Sequence, residues 1–187
     1  MKKIIPILLL AGATLSLSSC DRDNDVIYDQ TDNDTYSQVL EITGTFVLDN
    51  GELKFGGDFN TPIHDADQVL VYRLIGESPD VWQPIPRTVY IQSNTATPYE
   101  LDYDFAFSKN RVEFYAGGNF NKTNIPSEVK PWLTKQTFRV VLLPGYFPKS
   151  TNGLSTQSVA PKVNTENYSE VIKVYGIDDS KVTKLKF

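Results

Sequence analysis

The chain of 187 residues carries a formal net charge of −5, with 40% apolar and 22% charged residues. These are the proportions of one packed domain rather than of a disordered chain. A single His and a single Cys exclude an intrachain disulfide, a Cys-x-x-Cys redox pair, a His-rich metal cage and a Cys/Cys zinc ribbon, while ten Tyr, ten Phe and two Trp against one Met favour aromatic, β-rich packing.

Lys2 and Lys3 precede an apolar run from Ile4 to Leu15, broken at Pro6, and Leu17-Ser18-Ser19-Cys20 comes next. This is a secretory signal layout, too short for a comfortable membrane span. It resembles the bacterial lipobox, in which a Leu three positions upstream and a small residue just before the Cys allow signal peptidase II to cut. The resemblance makes Leu17, Ser18 and Ser19 recognition residues and residues 1–19 a removed signal. It makes Cys20 the new N-terminus, joined to diacylglycerol through its sulfur and acylated on its amine, with palmitate the expected chain. Lipidation also accounts for a lone Cys that would otherwise be an unpaired thiol in an oxidising compartment. One acyl chain binds a membrane only marginally, at roughly 0.8 kcal/mol per buried methylene, but two or three make a stable anchor.

Removing residues 1–19 takes away two lysines and no acid, so the net charge moves from −5 to −7. Residues 21–35 hold six Asp and one Arg, or −5 of that total. Residues 20–36 therefore read as the lipidated Cys and a solvated acidic tether. Asp21, Asp23 and Asp25 alternate as in a calcium loop, but Val26 stands where the loop needs Gly and Asp32 where it needs Glu. Their charge instead resembles the acidic export signal that carries lipoproteins of Bacteroidota to the cell surface, although Arg22 and Asn24 interrupt the block. The remaining domain is nearly neutral and has no basic patch, so nucleic acid is not an expected partner.

From residue 37 to 187 the pattern is that of one β domain. Ile42, Gly44, Phe46 and Leu48 alternate into Asp49-Asn50-Gly51, whose Asn-Gly suits a type I′ turn leading to Leu53 and Phe55. Residues 68–75 form a dense apolar strand interrupted only by Arg73, which predicts burial on both faces. Pro84 and Pro86 punctuate, and Thr88–Gln92 is another strand. Over 99–107, Tyr99, Leu101, Tyr103, Phe105 and Phe107 face one way while Glu100, Asp102, Asp104 and Ala106 face the other. A turn at 108–110 returns into Arg111–Ala116, which should set Arg111 and Glu113 beside Asp104 and Asp102. Thr137–Leu143 is a second core strand, and residues 144–164 a long polar loop.

Tyr168, Val171, Ile172 and Tyr175 have helical spacing, with Asn164 or Thr165 as cap and Gly176 as stop. Lys181–Phe187 reads as a lysine-bearing edge strand. No helix-length segments separate the earlier strands. The expected fold is therefore all-β and mainly antiparallel, a β-sandwich or partly closed barrel with one short C-terminal α-helix.

No Gly-x-Ser-x-Gly, phosphate-cradling or dinucleotide stretch occurs, so no cofactor and no catalytic residue are expected. His64 with Asp65 and Asp67 could suggest a metal or a base, but one His without a second such ligand reads better as a turn with Asp65 as local cap, and no metal is expected. Asp102 and Asp104 could act as paired carboxylates of a hydrolase, or form a solvated strand row balanced by Arg111. Gly56-Gly57 and Gly117-Gly118 read as bulges or bends. Among the aromatics outside the core pattern, Trp82, Trp132 and Tyr146, with Tyr90, Tyr115 and Phe147, could form a platform for a glycan or peptide, or plug the sandwich ends.

The stretches DADQVLVYRL (65–74), DVWQPIPRTVY (80–90), LDYDFAFSKNRVEFYAGGNF (101–120), TFRVVLLPGYF (137–147) and YGIDDSKV (175–182) resemble a group of small, uncharacterised flavobacterial-type lipoproteins of Bacteroidota, over roughly residues 38–187. Members often carry a Gly-Pro-rich stretch after the lipidated Cys, where this chain has its acidic tether, so any role of that stretch is not carried over. The resulting expectation is a non-catalytic domain of the outer membrane, held through its N-terminal lipid on the periplasmic or the cell-surface face, the surface being favoured. It would be structural in the envelope or bind a protein or glycan. The alternative is a carboxylate-based hydrolase or an accessory subunit of an envelope enzyme.

Overall fold

The structure, a computed structural model, describes residues 37–94, 96–145 and 161–185. In chain order the elements are β1 (Gln38–Gly44), β2 (Val47–Asp49), β3 (Glu52–Asp58), β4 (Gln68–Gly76), β5 (Val81–Ile85), β6 (Arg87–Ile91), β7 (Tyr99–Phe107), β8 (Arg111–Gly118), α1 (Lys130–Leu133), β9 (Gln136–Leu143), α2 (Tyr168–Val174) and β10 (Thr183–Lys184). They build two five-stranded sheets, ordered β10-β1-β9-β4-β5 and β2-β3-β8-β7-β6. All pairings are antiparallel except β1 with β10. The sheets face one another as a sandwich and do not close into a barrel. No helix among the described residues is long and apolar enough to cross a membrane.

The core lies between the sheets. Phe114 of β8 and Phe138 of β9 stack with ring centroids 4.4 Å apart, directly joining the two sheets. Phe55 and Phe46 meet edge-on at 4.8 Å, and both approach the Phe138 ring. Leu101, Val112, Ile42, Val140 and Leu142 fill the same layer. The alternation over β7 places Leu101 and Tyr103 inside and Glu100, Asp102, Asp104 and Ala106 outside. It stops short of its expected end, since Phe107 is 47% exposed.

A second apolar layer covers the outer face of the first sheet. Tyr168 and Val171 of α2 pack on Val39, Tyr72, Val141 and Leu143. This is why β4 and β9 are nearly continuous apolar runs: each is buried on both faces. The helix begins later than expected. Its cap is Asn167, whose side chain accepts the Glu170 N–H at 3.2 Å, while Asn164 sits in the preceding turn and accepts from the Glu166 N–H. Gly176 ends it at φ +62°, as anticipated.

Several local expectations are corrected. The alternation over Ile42–Leu48 is not one strand: β1 ends at Gly44, and at Thr45-Phe46 the chain crosses to the other sheet, the Phe46 N–H donating to the Leu133 carbonyl at 2.9 Å. Asn50 and Gly51 have φ of 51° and 84°, the positive pair that the β2–β3 turn requires. Pro84 lies inside a strand, which is tolerated because β5 is a sheet edge. Pro86, between β5 and β6, marks a second crossing between sheets. The glycine pairs are not bulges, since the β3–β8 and β7–β8 registers run through them unbroken. Instead a Cβ at Gly56 would strike the Val112 carbonyl, and one at Gly118 the Glu100 carbonyl.

Three buried tyrosines link the fold to alkaline pH. Tyr72 donates to the Thr165 carbonyl at 2.5 Å and Tyr103 to the Trp132 carbonyl at 2.6 Å, and Tyr168 donates to Asp179 Oδ2 at 2.9 Å. Burial pushes the Tyr72 phenol up to about 12 and raises those of Tyr103 and Tyr168 as well. The unfolded chain releases these protons near pH 10 while the folded chain keeps them. Stability is therefore intact below about pH 10 and falls as pH rises through the folded values. Circular dichroism and tyrosinate absorbance, followed together, should show cooperative unfolding coincident with tyrosine ionisation. Complete ionisation near pH 10 with the fold intact would contradict it.

Candidate functional site

The lipobox residues Leu17, Ser18, Ser19 and Cys20, the acidic tether, and Tyr146 and Phe147 lie outside the described residues. The other singled-out residues occupy separate places. In the loop between β3 and β4, Asp67 rather than Asp65 is the cap. Its carboxylate is buried and accepts the His64 N–H at 2.9 Å and the Gly145 N–H at 3.3 Å. Asp65 is exposed and paired with Lys109 at 2.6 Å. Among the described residues no group of three His, Cys, Asp or Glu side chains is placed to hold a metal ion.

Asp102 and Asp104 stand on the solvent face of the second sheet. Asp102 accepts the Thr88 hydroxyl at 2.6 Å, and Asp104 the N–H of Phe105 at 2.8 Å. With Glu52, Tyr115, Gly117 and Lys122 they border an open depression of about 380 Å³. Arg111 does not balance them. The register sets Asp104 opposite Tyr115 and Asp102 opposite Gly117, and Arg111 pairs instead with Asp58 of the neighbouring strand β3 at 2.9 Å and with Glu113 of its own strand at 3.2 Å.

The two tryptophans do not share a platform. Trp82 of β5 packs on the outer layer, 5.7 Å from the Tyr168 ring. Trp132 of α1 packs against the inter-sheet core and so plugs one end of the sandwich. Tyr90 projects from β6, 68% exposed, and the Tyr115 hydroxyl is tied to Glu113 at 2.9 Å.

Each tryptophan accompanies an arginine, and the two arginines differ in their partners. Arg139 of β9 lies 4.2 Å from the Trp82 ring centroid and is amply neutralised. It contacts Glu41 Oε2 at 3.4 Å and Asp179 Oδ2 at 3.1 Å, and donates to the Tyr168 hydroxyl at 2.7 Å. Arg73 of β4 is 5% exposed, its guanidinium 4.5 Å from the Tyr103 centroid and 5.2 Å from that of Trp132. Its Nε donates to Gln136 Oε1 at 2.9 Å. Nη1 is buried without a hydrogen-bond partner, and no carboxylate among the described residues forms an ion pair with it. Burial draws its pKa below the ordinary value, although a guanidinium remains charged at neutral pH.

Arg73 is absent from the candidates that the sequence suggests, although it leaves one signal there: a charge inside an otherwise apolar strand. The pairing of β4 with β9 ends at Arg73 and Phe138. Beyond that pair a pocket of about 480 Å³ opens between Leu74–Glu77 and Pro131–Thr137, with Arg73 and Trp132 in its wall. No protein-family model, curated protein or solved structure matches the chain.

Proposed function

We propose that the chain is a surface lipoprotein of a Bacteroidota-type outer membrane. In this reading Cys20 carries the lipid, residues 21–36 hold the domain off the anionic surface, and the sandwich serves as a binding domain for a glycan or protein of the envelope. The observation that carries the anchor is the Lys2-Lys3, apolar run and Leu17-Ser18-Ser19-Cys20 succession. Kinship with the small lipoproteins of that group belongs to the same proposal. The choice of binding over catalysis is supported by where the carboxylates sit. Glycoside hydrolysis needs two of them flanking a bound bond, one with a raised pKa. Asp102 and Asp104 instead lie on an exposed strand face, along an open depression.

The test uses the full chain in detergent micelles with a panel of polysaccharides and peptides, measuring retention and product release together. Retention without product is the expected result. Product formation that disappears in Asp102→Asn or Asp104→Asn would overturn the non-catalytic reading.

A further inference from the structure

We propose that the pocket between the end of β4 and the start of β9 binds an acidic saccharide. The sugar carboxylate would be held by Arg73 and Lys135, and the sugar ring would lie on Trp132.

Arg73 is a buried charge with no carboxylate partner among the described residues. A buried cation is normally paired, because removing it from water is costly. Arg139 meets that rule with two carboxylates. Arg73 has two aromatic rings and a neutral amide, which stabilise a cation but supply no counter-charge. A ligand carboxylate reaching the pocket wall would supply it.

The surroundings hold Arg73 ready for such a ligand. Gln136 is fixed by donating from Nε2 to the Pro131 and Thr134 carbonyls, each at 2.9 Å, so its Oε1 is a rigid strut for the Arg73 Nε. Lys135, also in the pocket wall, is held at φ 49°, with its N–H donating to Thr45 Oγ1 at 3.0 Å. A non-glycine residue rarely adopts this conformation, and such strain tends to be kept where it positions a working side chain. One opposing charge, Glu77, is exposed on the rim, so the cations outnumber it two to one. An indole beside a guanidinium suits a sugar acid: the flat C–H face of the ring stacks on the one while the carboxylate meets the other. The volume lies within the range of small-ligand sites.

An acidic saccharide is a ligand class for the binding role proposed above and rests on that role, but it does not depend on the anchor. Its test is calorimetric titration of the full chain in detergent micelles with tri-galacturonate and with the same trisaccharide fully methyl-esterified, at low and high salt. The free acid should bind, and esterification should weaken it at least about tenfold, the worth of one charge-assisted hydrogen bond. High salt should weaken the acid and leave the ester unchanged. Lys135→Gln should weaken binding several-fold and Glu77→Gln strengthen it. Both residues are exposed, so neither change threatens the fold. Equal affinity for acid and ester, no heat from either at about millimolar concentration, or insensitivity to both substitutions would overturn the proposal. Binding of a peptide C-terminal carboxylate without the trisaccharide would also overturn it. Retention of a different glycan from the wider panel would defeat this assignment alone and leave the binding role standing.

Discussion

Phe138→Ala should destabilise the domain by about 3–5 kcal/mol, the cost of removing a large ring from a core that cannot fully collapse around the space. Phe138 is fully buried and stacks on Phe114 at 4.4 Å, with Phe55 at 5.8 Å, Tyr103 at 6.1 Å and Phe46 at 6.2 Å. It is therefore the ring through which strands of both sheets touch. Asp104→Ala, on the solvent face of β7, should change stability by no more than about 0.5 kcal/mol. Urea melts of the two variants give the comparison. If Phe138→Ala leaves too little folded protein to melt, Phe138→Leu should give a smaller loss of the same sign. Equal effects of Phe138→Ala and Asp104→Ala would mean that the faces have been misassigned.

The contrast between these two positions shows which parts of the fold are legible in the residues. Strict alternation makes the faces of β7 and β8 readable, and the apolar runs of β4 and β9 announce strands covered on both sides. Strand β5 is hidden because Pro84 is a poor strand residue except at an edge, and edge position is a property of the assembled sheet. The helix cap is displaced because Asn164, Thr165 and Asn167 all suit the role, and packing of Tyr168 and Val171 on the sheet decides among them. Arg111 faces Asp58 rather than Asp104 because register across a third strand cannot be read from one hairpin.

The candidate site is less legible than the fold. Trp132 is visible as an aromatic outside the core pattern, but its partner is not. Arg73 and Trp132 lie far apart in the chain, and no local pattern spans that separation. Only the assembled sandwich brings the guanidinium to the indole, 5.2 Å from its centroid. The proposed lipobox is a different kind of signal, entirely local: it is carried by four adjacent residues and the run before them.

Replacing Cys20 should have the largest effect on where the protein resides. In the proposed reading, Cys20→Ala leaves no sulfur for diacylglycerol and no substrate for signal peptidase II, so the chain gains no acyl group and keeps the apolar run from Ile4 to Leu15. Beyond that run the chain offers the acidic tether and, among the described residues, a sandwich whose outer positions on β7 are exposed and largely polar. Two or three acyl chains hold a protein on a membrane at roughly 0.8 kcal/mol per buried methylene, and neither the tether nor that sheet face presents a comparable apolar surface.

The most direct measurement is detergent-phase partitioning of the wild-type chain and of Cys20→Ala expressed in the same cells, with mass spectrometry of the N-terminal peptide. The wild type should partition into the detergent phase and begin at an acylated Cys20, while Cys20→Ala should carry no acyl chain and keep the residues before position 20. A wild-type N-terminal peptide carrying an unmodified Cys20, or a Cys20→Ala chain cut just before position 20, would contradict the lipid anchor.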